Sequence, residues 1–187
     1  QQAIQAMNTS APKDGSVFAS VPPGPIQEPM MGAGVATYDL RDFRWIGAPA
    51  RQAQVCFVLA TSPVRTLEDA SRRDVTLAVT SPLGSQAALA NLVNAMLGTK
   101  FRIVSGYRSG REMAMAVQRN EVQGRGAWSW ASFQTEALHL VKKGELNILL
   151  QYAPKRSPDL PDIPTAMEYA RTDEQKQILE LHIPEAK

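Results

Sequence analysis

Residues 73–97 constrain the fold more tightly than any other stretch. An apolar strand, Asp74-Val-Thr-Leu-Ala-Val79, runs through Thr80-Ser-Pro-Leu-Gly-Ser-Gln86 into a long Ala/Leu/Asn helix. A strand that turns through small residues into a helix is half of a parallel α/β unit, because the helix must carry the chain back before a second parallel strand can pair. The helix N-terminus also presents unpaired backbone N–H groups at the positive end of its dipole, flanked by the Ser81 and Ser85 hydroxyls. Such a terminus can hold a carboxylate or phosphate with no charged side chain. The same Ser/Gly turn also serves as an ordinary helix cap, so this segment alone admits both readings.

The flanking sequence extends the α/β pattern. The spacing predicts strand 74–79, helix 83–97 ended by Gly98, strand 101–104, a Ser105-Gly-Tyr-Arg-Ser-Gly110 turn, helix 111–119 and a short strand at 121–123. Met113, Ala116 and Val117 share one face of helix 111–119, which marks them as core. Upstream, residues 1–7 read as the end of a helix, Ala11-Pro-Lys-Asp-Gly15 as a turn and 16–21 as a strand broken by Pro22-Pro-Gly24. A short helix and loop are expected over 25–35, and an apolar strand over 54–60. Thr66-Leu-Glu-Asp69 has the form of a capping box with Asp in place of the usual Glu. Downstream come a helix over 129–142 closed by Lys142-Lys-Gly144, a strand over 146–152, a proline-punctuated loop over 154–164 and two short helices over 165–181.

Composition removes several function classes. The 187 residues carry 20 Lys plus Arg against 18 Asp plus Glu, an excess too small and too scattered for a nucleic-acid partner. Apolar runs such as 55–60 are far short of the roughly 20 residues that cross a bilayer, so the chain reads as not membrane-embedded. The single cysteine, Cys56, lies in that run and reads as a buried spectator. His139 and His182 have no Cys or paired carboxylates at metal-ligand spacing, so no metal is expected. No Gly-x-Ser-x-Gly elbow, phosphate-binding Gly-x-x-x-x-Gly-Lys loop or Cys/His pair is present, which argues against an enzyme and against a bound cofactor. The N-terminus lacks the basic start and apolar middle of a secretory signal.

Ala11-Pro-x-Asp-Gly15, Phe43-x-Trp-Ile-Gly47, Thr66-Leu-x-Asp69, Gly84-Ser85, Gly106-Tyr-x-x-Gly110, Glu121-Val-x-Gly124 and Leu160-Pro-Asp-Ile-Pro-Thr165 occur in one order. In that order and spacing the chain resembles the extracytoplasmic solute receptors of the tripartite tricarboxylate transporter system, the TctC or Bug-type proteins, over nearly its whole length. The resemblance implies a type II periplasmic-binding-protein-like α/β fold: two lobes closing on a small carboxylate, with the first lobe incomplete. It places lobe 1 at 1–61 and 133–187, the latter including a crossing helix, and lobe 2 at 62–132. It implies a periplasmic protein that captures a di- or tricarboxylate or aromatic acid and passes it to membrane permease subunits, with no reaction of its own. The alternative is a ligand-sensing accessory protein or a non-binding fragment of such a receptor. Elements that family members carry before Gln1 and after Lys187 are missing here, so both termini read as truncated.

By matching positions, the resemblance puts backbone N–H groups of the Ser81 to Gln86 turn, including Gly84, and the Ser85 hydroxyl on a ligand carboxylate. Gly106 and Tyr107 follow the next strand on the ligand-facing side, with the Tyr107 hydroxyl as a donor. Arg108 reads as a solvated surface residue, the alternative being a bidentate pair with a ligand carboxylate. Trp128 and Trp130 straddle Ser129 in the crossing region, with one ring expected on the cleft and the other in the hinge. Pro23 and Gly24 would shape the cleft from the first lobe.

Overall fold

The computed structural model describes residues 2–21, 26, 38–47, 53–82 and 84–183. The expected helix and loop over 25–35, with Pro23 and Gly24, therefore lie outside the described residues, Ile26 excepted. The chain divides into two compact units, Gln1–Pro49 and Ala50–Lys187.

In the first unit, helix α1 (Gln2–Thr9) ends in the predicted turn, where Gly15 takes φ +87° and the Asp14 carboxylate accepts from the Ser16 N–H at 2.9 Å. The expected strand at 16–21 does not form. Among the described residues it has no ladder partner, and Phe18 is 81% exposed; β-propensity without a neighbouring strand leaves extended but irregular chain. Residues Leu40–Asp42 make one 3-10 turn capped by Asp39, and Phe43 packs between Tyr38 and Trp45.

The second unit is built on one five-stranded sheet. Its elements are β1 (Gln54–Leu59), α2 (Leu67–Arg72), β2 (Val75–Ala78), α3 (Ser85–Leu97), β3 (Phe101–Val104), α4 (Gly110–Gln118), β4 (Gly124–Ser129), α5 (Trp130–Glu136), α6 (Leu138–Lys142), β5 (Leu146–Tyr152) and α7 (Asp173–His182). The strand order is β3-β2-β4-β1-β5. β2 pairs parallel with β3 and with β4, as the α-helical returns require, whereas β1 runs antiparallel between β4 and β5. The sheet continues across both expected lobe boundaries: β1 precedes residue 62 and β5 follows residue 132, yet both are ladder partners within the sheet that holds β2 to β4.

Local signals account for most element ends. Thr66 and Asp69 form the predicted reciprocal capping box of α2, an arrangement that contributes about 1 kcal/mol. Gly98 ends α3 at φ +66°, where an L side chain would be strained. Ser109 caps α4 through the Glu112 N–H. Two expectations differ. Residues 121–123 are not a strand, and β4 starts at Gly124 instead. The single helix expected over 129–142 is two, because Ala137 leaves helical geometry at φ −135° and buries its side chain.

Alternation along the strands splits the core into two apolar layers. Cys56, Val58, Leu77, Ala127 and Leu150 face α3 and α7; Val55, Phe57, Ala78, Trp128 and Ile148 face α4 and α5. Between β1 and β4 the register shifts, Val55 opposing Trp128 while Phe57 opposes Arg125. The extra residue in β4 is a bulge over Gly126 and Ala127, and it returns Arg125 and Trp128 to the same face.

Candidate functional site

Because β2, β3 and β4 run parallel, their carboxyl ends open onto one edge of the sheet, and the loops that follow β2 and β3 start there. In open α/β sheets this is where ligands bind. The turn after β2 leads to Gly84, the N-cap of α3, in extended conformation and with no side-chain cap. The first intrahelical bond is from the Ala88 N–H to the Gly84 carbonyl at 3.0 Å, so the N–H groups of Ser85, Gln86 and Ala87 point out of the helix end without intrahelical acceptors. Gly84 and Ser85 are half-buried and Ser81 is exposed; the terminus is not sealed inside packed hydrocarbon.

The Gln86 side chain is engaged within the fold. Its Oε1 accepts from the Thr80 N–H at 3.2 Å and its Nε2 donates to the Ala127 carbonyl at 3.2 Å. The amide therefore clamps the first turn of α3 onto the β2 loop and onto β4, leaving the backbone N–H as Gln86's free donor toward the edge.

After β3, Gly106 is exposed at φ +113°, and Tyr107 is half-buried with its hydroxyl pushed up in pKa by burial and by Glu121 and Glu112. Arg108 is exposed, as expected, and its N–H donates to Glu112 Oε2 at 2.7 Å. Ser129 closes β4 opposite Gln54. Neither tryptophan forms an open wall. Trp128 lies 5.7 Å from Phe57 and 5.6 Å, edge-on, from Phe133. Trp130 stacks on Phe133 at 5.7 Å while its Nε1 donates to Asp159 at 3.0 Å. Both are buried in one aromatic cluster, because the β4 bulge turns Trp128 toward the α4 and α5 side. Trp128 does border a cavity of about 480 Å³ with Phe57, Val117, Leu140 and Leu146. Among the described residues, none of the other expected contact residues lines it.

One residue of this region was passed over in the sequence. Arg125, on β4, is 2% exposed, and its Nε and Nη1 have no hydrogen-bond partner. Its guanidinium carbon sits 4.0 Å from the centre of the Trp128 ring, and burial lowers its pKa to about 10 against a raising influence from Glu136. The available signal was an arginine between two glycines in an otherwise apolar strand. Among the described residues no cluster of His, Cys, Asp and Glu could hold a metal ion, and no helix is long and apolar enough to cross a membrane.

No protein-family model matches the chain, and no curated protein matches it by sequence. Solved structures do. It is similar to an R. palustris protein solved with adipate, at 18% identity and a TM-score of 0.53, over 71% of this chain and 50% of that one. It is also similar to the periplasmic binding protein BugD, at 14% identity and a TM-score of 0.52, over 70% and 50%. A TctC solute-binding protein from Polaromonas, solved without ligand, aligns at 17% identity and a TM-score of 0.53, over 83% and 58%. The chain thus spans about half the length of these proteins, and what it shares with them is the fold.

Proposed function

We propose that this chain, which has the fold of TctC and Bug-type periplasmic binding proteins, is part of an extracytoplasmic receptor that captures a small carboxylate for a tripartite tricarboxylate permease. The neighbours are binding proteins rather than enzymes, and one was solved with the dicarboxylate adipate. The observation that carries the reading is the uncapped α3 terminus at the carboxyl edge of parallel strands. Backbone N–H groups there meet a carboxylate while the helix dipole favours its charge. The Gln86 clamp holds those donors in place before the ligand arrives, which lowers the ordering cost of binding. In this reading Ser81, Gly84 and Ser85 face the ligand, Gly106 and Tyr107 border it from the β3 loop, and Ser129 lies at the end of β4. Trp128 supports the site from within the core. Pro23 and Gly24 belong to the proposal only through the resemblance.

The test is a thermal-shift series with succinate, adipate, citrate and benzoate on the wild-type chain and on Ser85→Leu. Ligand that binds only the folded chain raises Tm with concentration. The expected result is a concentration-dependent rise with a subset of these acids, abolished in S85L while its circular dichroism is unchanged. An undiminished rise in S85L refutes the α3 site. Turnover of any of the acids refutes the receptor.

A further inference from the structure

Arg125 and the N-terminus of α4 lie side by side as two positive poles. A Cβ built on Gly110, the first residue of α4, would lie 3.7 Å from Arg125 Nη2 and 3.8 Å from Nη1, so the guanidinium lies alongside the opening turn of that helix. The nine-residue α4 has its third N–H capped by Ser109, which leaves the Gly110 and Arg111 N–H groups ahead of the first intrahelical bond, from Met113 to Ser109. Two like poles repel, and a buried guanidinium normally has a carboxylate partner or a full set of acceptors. Arg125 has neither in full: Glu136 acts on it through charge alone, with no ion pair, and Nε and Nη1 are enclosed and unpartnered. The Glu112 carboxylate in the same turn is engaged by the Arg108 N–H. The Trp128 ring compensates one face of the cation, but a π face accepts none of the in-plane N–H donors.

We propose that Arg125 and the N-terminus of α4 form a second anion subsite, which takes a carboxylate group of the ligand. It deepens the carboxylate-receptor reading and rests on that reading for the class of anion. β2 and β3 are hydrogen-bonded neighbours, about 4.8 Å apart, so the loops that lead to α3 and α4 leave adjacent points of the sheet edge. The two helices pack on opposite faces of the sheet, so a ligand with two carboxylates lying across the sheet edge has one helix terminus for each. The α3 terminus offers backbone donors only, whereas the α4 terminus adds a planar fork that a carboxylate accepts bidentately. The turn over 105–109, exposed except at Tyr107, is the side from which an anion reaches it. Selectivity for dicarboxylates over monocarboxylates follows.

The experiment is a ¹⁵N NMR titration of the wild-type chain with formate and with succinate, against sodium chloride at equal ionic strength, reading the Arg125 Nε–H resonance and the Ser85 and Gln86 amides. The expected result is a saturable shift of the Arg125 Nε–H with both carboxylates, at lower concentration with succinate. The Arg125→Met chain should bind succinate at least tenfold more weakly and formate at its remaining site as before. Shifts at Ser85 and Gln86 with Arg125 unmoved overturn the subsite and leave the α3 reading standing. A shift of Arg125 with Ser85 and Gln86 unmoved upholds the subsite and overturns the α3 reading. No shift at any of the three overturns both. The wild-type readout stands even if R125M fails to fold.

Discussion

The side-chain amide of Gln86 donates to the main-chain carbonyl of Ala127 at 3.2 Å, tying the first turn of a helix to a strand 41 positions along the chain. With the bond that Thr80 gives to the same side chain, this makes Gln86 a positioning residue for the α3 terminus. Gln86→Ala removes the clamp and leaves the Ala127 carbonyl without this donor, at a cost of about 1–2 kcal/mol. Urea denaturation should show that loss, and carboxylate affinity should fall with it although no ligand contact is deleted. Gln86→Glu keeps the acceptor toward Thr80 but loses the donor to Ala127, so it should recover only part of either.

At Gly124, β4 approaches β1 closely. A Cβ there would fall inside van der Waals contact of the Phe57 carbonyl oxygen and 2.9 Å from Val58 Cα, and backbone atoms in a paired strand have little room to move. Gly124→Ala should destabilise the second unit by about 3 kcal/mol. At Gly126 the nearest neighbours are the Ala90 Cβ and the Gln86 carbonyl, both at 3.4 Å, where a small shift of α3 suffices. Gly126→Ala should cost about 1 kcal/mol. A reversed order of the two urea midpoints would contradict the close approach at Gly124.

Arg156 braces the proline loop by bonding Glu168 through Nε at 2.8 Å and the Pro161 carbonyl through Nη1 at 2.8 Å. The Arg156 guanidinium, helped by the Thr165 N–H, brings the Glu168 carboxyl down from 4.5 to about 2. A carboxyl depressed in the folded state contributes stability above its unfolded pKa and loses it as pH falls from about 4.5 toward 2. Both side chains are about 40% exposed, so screening reduces the contribution to about 1 kcal/mol. Thermal melts of Glu168→Gln and wild type should therefore differ at pH 6 and converge by pH 2. A difference that persists at pH 2 would assign the effect to packing instead.

Cys56 is fully buried in β1, and burial pushes its thiol up to about 12. Because the thiolate is the reactive species, a maleimide at pH 7.5 should leave the native chain unlabelled and modify it stoichiometrically in 6 M guanidinium. Rapid native labelling would place β1 at a frayed edge, in conflict with its pairing to both β4 and β5.

Features that depend on a few consecutive residues were legible in the sequence. The Thr66 and Asp69 box, the Gly98 stop, the core face of α4 and the strand, turn and helix of residues 75–97 are such features. Each is a local contest between backbone groups and nearby side chains, settled within one or two turns. The strand expected at 16–21 does not form for the opposite reason, since a strand exists only with a partner, and its own residues do not supply one. The reversed direction of β1 and its place beside both β4 and β5 likewise depend on contacts far apart in the chain.

The candidate site divides along the same line. That a helix N-terminus follows β2, with small residues and no strong cap, is written into residues 80–86 and needs nothing beyond them. Tertiary structure decided what surrounds it. A single bulge in β4 sets Arg125 and Trp128 on one face, closes the tryptophan away from solvent and leaves the guanidinium beside Gly110 with Nε and Nη1 lacking an acceptor. Side chains alternate along a strand, so one inserted residue reverses the face of everything beyond it. Composition carries no trace of where that insertion falls; the packing of β4 against β1 does.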